Sequence, residues 1–578
     1  MSSPGKRQVS LTAPESLPSR KLDSTEESAT PTVFSRSSDR TSEGSEPQMS
    51  SEAAQTITDY YAGIPGNPQL LARSSHSKFE RPLVDDPYGT SGKVPAVKDM
   101  FVITNKTLQA AVTRERRNKV LGVLSTMKPK CWIAVDYVRV GYSKKSSENP
   151  AVILITVEED KLPHKEAGRL VDEISKVFLG FDFEVEIMEG RRDGFMADKE
   201  DEDEVETDKL VEPPLPPISY PHVGSSIGLS RKYKDIKTGT GTLAGFLQID
   251  GTIYGLTNHH VVFGTDRKEA FPTNEEERTR TTLVVNQPST GDLESLKLRV
   301  NIRIKNFERL QAKKELSESD KKKLNELKTS LAEYNTWTED KCQLGTIWKT
   351  SGVRLSSKTS TGHQHRMDWA LINLENPGRF QKERFENELP STDLNKTGIP
   401  GYFESAMKLG PDPEKTLDDF PLFLKRSLKT KESQYRQKLA EDKDKMQIVW
   451  KFGRTTHYTY GVSSEIESNF KGVDDLVSDE WMVMDSPAGR GIYQKYFSMA
   501  GDSGSFVWDS DGFVTGLLWG GRQECQRTFV TPIEAVLEDI KTICGAKEVK
   551  LVVRPEDAND EEFLPSGNSS KPGTKINV

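Results

Sequence analysis

A chain of 578 residues is long enough for two or three domains, yet 34% hydrophobic residues is low for a polypeptide folded from end to end. The formal charge of -8, with acidic and basic residues mostly interspersed, gives no basic face of the kind that binds nucleic acid. No apolar run follows Lys6 and Arg7, and no uncharged apolar span approaches ~18 residues; both points argue against a secretory signal or membrane insertion and for a soluble cytoplasmic or nuclear protein. Cys131, Cys342, Cys525 and Cys544 are too scattered for zinc ligation and too few for a disulfide scaffold, which fits a reducing compartment.

Residues 1–95 are rich in Ser, Thr, Pro and charge, without a sustained apolar period, and are expected to be a disordered tail. From 96 to 190 the pattern is that of a small α/β domain. A helical stretch near Leu108 to Leu124 leads into the strand-like runs 131–142 and 151–157. Ala167, Leu170, Val171, Ile174, Val177 and Phe178 then follow the spacing of a helix with one buried face, and residues 182–188 alternate like a half-wet strand. No cluster of ionisable residues marks a site there, so the expected role is scaffolding or partner binding. Residues 191–223, with "DKEDEDEVETDK" and "EPPLPP", form an acidic, proline-stiffened linker.

The chain then becomes β-rich. Asp250-Gly251 between two apolar segments is a strong hairpin signal, and the second strand ends at Thr257-Asn258-His259-His260. Residues 303–335 are helical, with Leu324, Leu327, Leu331 and Tyr334 at spacings of three and four and a capping box at Ser317 and Asp320. "HRMDWALINLE" places Asp368 before an apolar strand, and a second charged helical insertion is expected near 413–446. "SMAGDSGSFVWDSDGFVTGLLWGG", 498–521, sets Ser503 in a glycine-flanked turn followed by strand residues. After 547 comes a strand, 549–553, and a polar tail within 548–578.

Gly-Asp-Ser-Gly is also an ordinary turn, and a serine hydroxyl is a poor nucleophile until a histidine takes its proton and a carboxylate holds that histidine. The combination and order of "LTNHHVV", "DWALI" and "GDSGS" resemble the trypsin-like, chymotrypsin-fold serine peptidases, in particular their disulfide-free intracellular branch. "KFGRTTHYTYGV" (451–462), "VTGLLWGG" and "FVTPIEAVLEDI" extend the resemblance over 224–547, and the layout of tail, α/β unit and peptidase is similar to that of intracellular fungal members. The resemblance implies a mainly β catalytic domain of two six-stranded antiparallel barrels with helical insertions.

It further implies His260 as general base, with His259 beside it, Asp368 as the orienting acid and Ser503 as nucleophile. The amides of Gly501 and Ser503 would form the oxyanion hole, and Arg454 would pair with Asp502 to hold the turn. Phe497, six residues before Ser503, would form the base of the substrate pocket, with Leu518, Trp519 and Gly520 as its wall; an apolar base disfavours a basic substrate side chain. Neither metal nor cofactor is implied, and the substrates would be proteins or peptides. Two further readings stand beside this one. The fold could be kept as a latent binding or scaffold protein that uses the cleft, the α/β domain or the inserted helices to hold partners. Alternatively the peptidase cleaves its own N-terminal region, which stays bound.

Overall fold

In a computed structural model of the chain, the residues described are 59–86, 92–191, 221–230, 239–264, 267–279, 282–358, 362–374, 386–390, 399–429, 432–434, 436, 438, 440, 445–472, 474–485, 496–522 and 527–555. The tail before residue 59, the linker from 192 to 220 and the end of the chain after 555 lie outside them.

The apolar runs of the α/β unit become the antiparallel strands Trp132–Gly141 and Ala151–Glu158. Strand Glu184–Gly190 pairs parallel to the second of these, and a parallel neighbour requires a crossover; helix His164–Val177 supplies it. Ala167, Leu170, Val171 and Ile174 of that helix are buried on the sheet. Strand Leu70–Arg73 completes the edge, and Tyr60 and Tyr61 are buried nearby with their hydroxyls on Glu186. Residues 59–86 therefore do not belong to a disordered tail: aromatic and aliphatic anchors in an otherwise polar segment bury enough surface to fix it.

The other edge of this sheet does not end in solvent. Ala134 and Val135 pair with Phe470 and Asn469 of strand Ser468–Lys471, which forms a hairpin with Val477–Asp485. That long strand enters a closed six-stranded barrel. Its order is Ile448–Gly453, His457–Ser463, Val477–Asp485, Arg527–Pro532, Phe513–Arg522 and Phe506–Asp509, which pairs back to Ile448–Gly453. The α/β unit and the barrel thus share one continuous sheet.

The other β region is an eight-stranded curled sheet, a half-barrel. It runs Val549–Leu551, Gly245–Ile249, Thr252–Thr257, Ala370–Asn373, Gln343–Thr350, Val284–Asn286, Ser226–Leu229 and Thr240–Thr242. Of the two barrels expected, one closes and the other is this curled sheet. Asp250 and Gly251 both take positive φ, 47° and 89°, the geometry of a two-residue hairpin turn that locks Ile249 opposite Thr252.

Between the half-barrel strands stands a helical hairpin, Thr290–Lys313 and Glu318–Asn335, with its own core of Leu293, Leu296, Val300, Ile304, Leu324 and Tyr334. Its second helix starts at the expected cap, Ser317, whose hydroxyl accepts from the Asp320 amide at 3.1 Å. The second expected insertion, 413–446, is not uniformly helical: Lys425–Ser427 is a short strand parallel to Phe513–Arg522. The preceding helix is Ile399–Leu409. No helix among the described residues is long and apolar enough to cross a membrane.

Candidate active site

Thr257 pairs with Ala370 at the end of two antiparallel strands, so the chain leaving one and the chain entering the other lie side by side. His260 follows the first by three residues and Asp368 precedes the second by two, which makes them neighbours by register alone. His260 Nδ1 donates to Asp368 Oδ2 at 2.5 Å, and the His260 amide donates to Asp368 Oδ1 at 2.9 Å. The Asn258 side-chain amide fixes the Asp368 carbonyl at 2.7 Å. A carboxylate can only accept, so Nδ1 carries the proton and Nε2 is the basic nitrogen. Both side chains are fully withdrawn from solvent.

His259 has a different role. It is buried, its Nε2 donates to the Arg267 carbonyl at 3.0 Å, and its Nδ1 accepts from the Thr350 hydroxyl at 2.9 Å. Burial pushes its pKa down and keeps it neutral. Both ring nitrogens are committed to structure.

Ser503 is carried to the same end by its own turn. Gly501 and Gly504 have φ of 90° and 92°, which side-chain-bearing residues rarely adopt. A Cβ on Gly504 would meet the Thr242 carbonyl and the Thr257 hydroxyl at 2.2 and 2.5 Å, so only glycine lets the turn press against the strand that leads to His260. The Thr242 amide donates to the Ser503 carbonyl at 2.9 Å. The Ser503 hydroxyl donates to the Trp519 carbonyl at 3.4 Å rather than to His260. The Ala500 carbonyl accepts from the Thr455 hydroxyl at 2.7 Å. In a planar trans peptide the Gly501 N–H must then point away from Thr455.

The ion pair expected between Arg454 and Asp502 does not form. Arg454 directs Nε to Asp292 Oδ2 at 2.6 Å and Nη2 to Asp292 Oδ1. Asp502 is held instead by the Lys451 ammonium, 3.2 Å from its Oδ2. It also accepts from the amides of Thr455, Thr456 and Met499 at 2.9, 3.1 and 2.9 Å, and from the Thr456 hydroxyl at 2.7 Å. Strand alternation explains the exchange. In Ile448–Gly453, residues 448, 450 and 452 pack into one core while Val449 and Lys451 face the other, so Lys451 points at the turn. Lys451, Thr455 and Thr456 lay within the stretch 451–462 that carried the resemblance, although only Arg454 was singled out there; Asp292 carried no signal.

The four expected pocket residues do not converge on one wall. Phe497 and Leu518 share a cluster with Val449, Val483, Val507 and Val530 inside the barrel. Trp519 faces the other way and packs with Phe470, Phe529, Ile133 and Ala134, so the α/β unit covers it. Its ring nitrogen donates to Glu480 at 3.0 Å. Gly520 follows Trp519 at a register shift against Arg527–Pro532.

A second polar cluster joins His363, Glu467 and Asp479, whose ligand atoms lie within 4.8 Å of one another. Arg117 already reaches Glu467 and Asp479 at 3.3 and 2.8 Å, and Arg114 reaches Asp479 at 3.0 Å. The guanidinium groups supply the positive charge a cation would bring.

No protein-family model and no curated protein matches the chain. Solved structures similar to it include a glutamic acid specific serine protease described as using a histidine triad in substrate binding. That match has 10% identity over 54% of this chain and 94% of the other, with a TM-score of 0.24. Thermobifida fusca protease A is also 10% identical, over 58% and 99%, with a TM-score of 0.25. Cellulomonas bogoriensis chymotrypsin is 11% identical over 36% and 80%, with a TM-score of 0.19. Scores this low leave the site to be read from its own geometry.

Proposed function

We propose that the chain is a serine endopeptidase. The observation that carries this reading is the buried Asp368–His260 pair, 2.5 Å between Nδ1 and Oδ2, set at the same strand end as the glycine-flanked turn of Ser503. His260 Nε2 takes the Ser503 proton as Oγ attacks a peptide carbonyl, and Asp368 stabilises the imidazolium that forms. The amides of Gly501 and Ser503 receive the oxyanion. His260 then protonates the departing amine, and water attacks the acyl-enzyme by the same route in reverse. Substrates are proteins or peptides.

One observation favours a second reading, a latent peptidase or binding protein. Ser503 and His260 are both fully buried, and the Ser503 hydroxyl rests on the Trp519 carbonyl. Rotation of the Ser503 side chain and opening of the cleft would then precede catalysis.

A fluorophosphonate probe on the purified chain separates the readings. Labelling is expected for wild type and His259→Ala, and a loss of at least about a thousandfold in rate for Ser503→Ala and His260→Ala. A wild-type chain that stays unlabelled under native conditions would sink the reading of an active peptidase in favour of the latent or binding one.

A further inference from the structure

We propose that Thr455 and Asp292 are positioning residues for the Gly501 amide, so that the base of the inserted helical hairpin belongs to the machinery that stabilises the oxyanion. The inference rests on reading Gly501 as an oxyanion donor. Its physical basis is a directed chain of hydrogen bonds. A guanidinium can only donate and a carbonyl can only accept. Arg454 Nη1 donates to the Thr455 hydroxyl at 3.3 Å, so that hydroxyl turns its own hydrogen to the Ala500 carbonyl at 2.7 Å. With that carbonyl tied down, the N–H of the same peptide is aimed the opposite way.

Arg454 is in turn set by Asp292, which receives both its Nε and its Nη2 in the two-pronged geometry that fixes a guanidinium plane. Asp292 stands in the first turn of helix Thr290–Lys313, where a carboxylate is favoured, and its amide donates to the capping Ser289 hydroxyl at 3.1 Å. Burial alone would raise the Asp292 carboxyl, but hydrogen bonds and charge from Arg454 outweigh it and hold it below the usual range. The helix base is bolted to the half-barrel by hydroxyls: Ser289 Oγ lies 3.2 Å from both Ser226 Oγ and Thr240 Oγ1.

The turn is held from the other side as well. The Thr242 hydroxyl accepts from the Arg454 amide at 3.1 Å and donates to the Gly501 carbonyl at 2.9 Å. The space is filled to the glycine: a Cβ on Gly501 would lie 2.1 Å from Arg454 Nη1 and 2.4 Å from Thr455 Oγ1. Arg454 and Thr455 therefore press directly on the peptide whose N–H is at stake, and Asp292 holds them from the hairpin.

The test uses the purified full-length chain, an N-acetyl-alanine p-nitrophenyl ester as substrate and an alanine-derived peptidyl trifluoromethyl ketone as mimic of the tetrahedral intermediate. Thr455→Val and the isosteric Asp292→Asn are expected to lower kcat about tenfold or more with KM within about twofold, and to weaken the ketone in parallel with kcat. Thr455→Ser, which keeps the hydroxyl, is expected to stay within about threefold of wild type. Variants with unchanged kcat and ketone affinity in an active wild-type background would overturn the positioning role alone. So would a loss that Thr455→Ser shares, or one confined to KM. An inert wild type would overturn the peptidase reading, and this proposal with it.

Discussion

Lys451 and Asp502 are both fully withdrawn from solvent, where neither charge could persist without the other. Burial drives the Lys451 ammonium below its ordinary range. For Asp502, burial acts upward, but the Lys451 charge and the hydrogen bonds around it outweigh that and keep the carboxylate ionised. Replacing Lys451 by Met leaves a buried carboxylate unbalanced and is expected to cost about 3–5 kcal/mol in urea unfolding. A loss below about 1 kcal/mol would show that the amides alone suffice. Glu480 has a different balance. Burial pushes its carboxyl from 4.5 up to about 8, against the pull of Ser478, Arg366 and the Trp519 indole. Between those two values the native state holds a proton that the unfolded chain releases, so its contribution is intact below 4.5 and lost as pH rises through about 8. Asp485, pushed by burial up to about 7, adds to the same slope. Glu480→Gln is expected to be more stable than wild type at pH 8.5, by up to about 4 kcal/mol, and equal to it near pH 4. Denaturant midpoints at the two pH values check the sign.

At the scale of elements, the junction between the α/β unit and the barrel depends on buried charge at its seam. Asp136 of strand Trp132–Gly141 meets Arg527 and, at 3.7 Å, Arg522, while the Ser468 hydroxyl donates to its other oxygen at 2.5 Å. Arg522 also donates to the Thr156 hydroxyl at 2.9 Å. Asp136→Ala removes the buried counter-charge of Arg527 and is expected to cost about 3–5 kcal/mol. Hydrogen exchange should speed up first in strands Trp132–Gly141 and Ser468–Lys471; uniform exchange across the chain would contradict a local seam. This junction was not legible in the sequence, because local period reveals that a strand exists but not which distant strand it joins. Residues 134 and 470 are far apart in the chain. Local chemistry did announce other elements: the Asp250-Gly251 hairpin, the helix with Ala167 and Ile174 on one face, and the cap at Ser317. The helix Thr290–Lys313 begins ahead of the expected 303 because its start is fixed by Ser289 and by burial of Leu293 and Leu296. Lys425–Ser427 was hidden because its partner strand lies far along the chain.

Across the whole molecule, three motifs far apart in the chain supply the candidate site. His260 and Asp368 meet because Thr257 and Ala370 share a register, and Ser503 arrives on a turn that only glycines allow. These residues stood out in the sequence because chemistry restricts their type and order. Their supporting roles were not legible, since a lysine, two threonines and an aspartate in a helix's first turn have many ordinary uses. The α/β unit packs over Trp519, and Ser503 and His260 are both buried. The central claim is that Ser503 becomes covalently acylated during turnover. Its most direct test is to mix the purified chain with the p-nitrophenyl ester, quench in acid within the first turnover, and map the mass of the proteolytic fragments. One acyl group is expected on the fragment containing Ser503, absent from Ser503→Ala and from His260→Ala. Ester hydrolysis with no adduct there, or with the acyl group on another side chain, would contradict it.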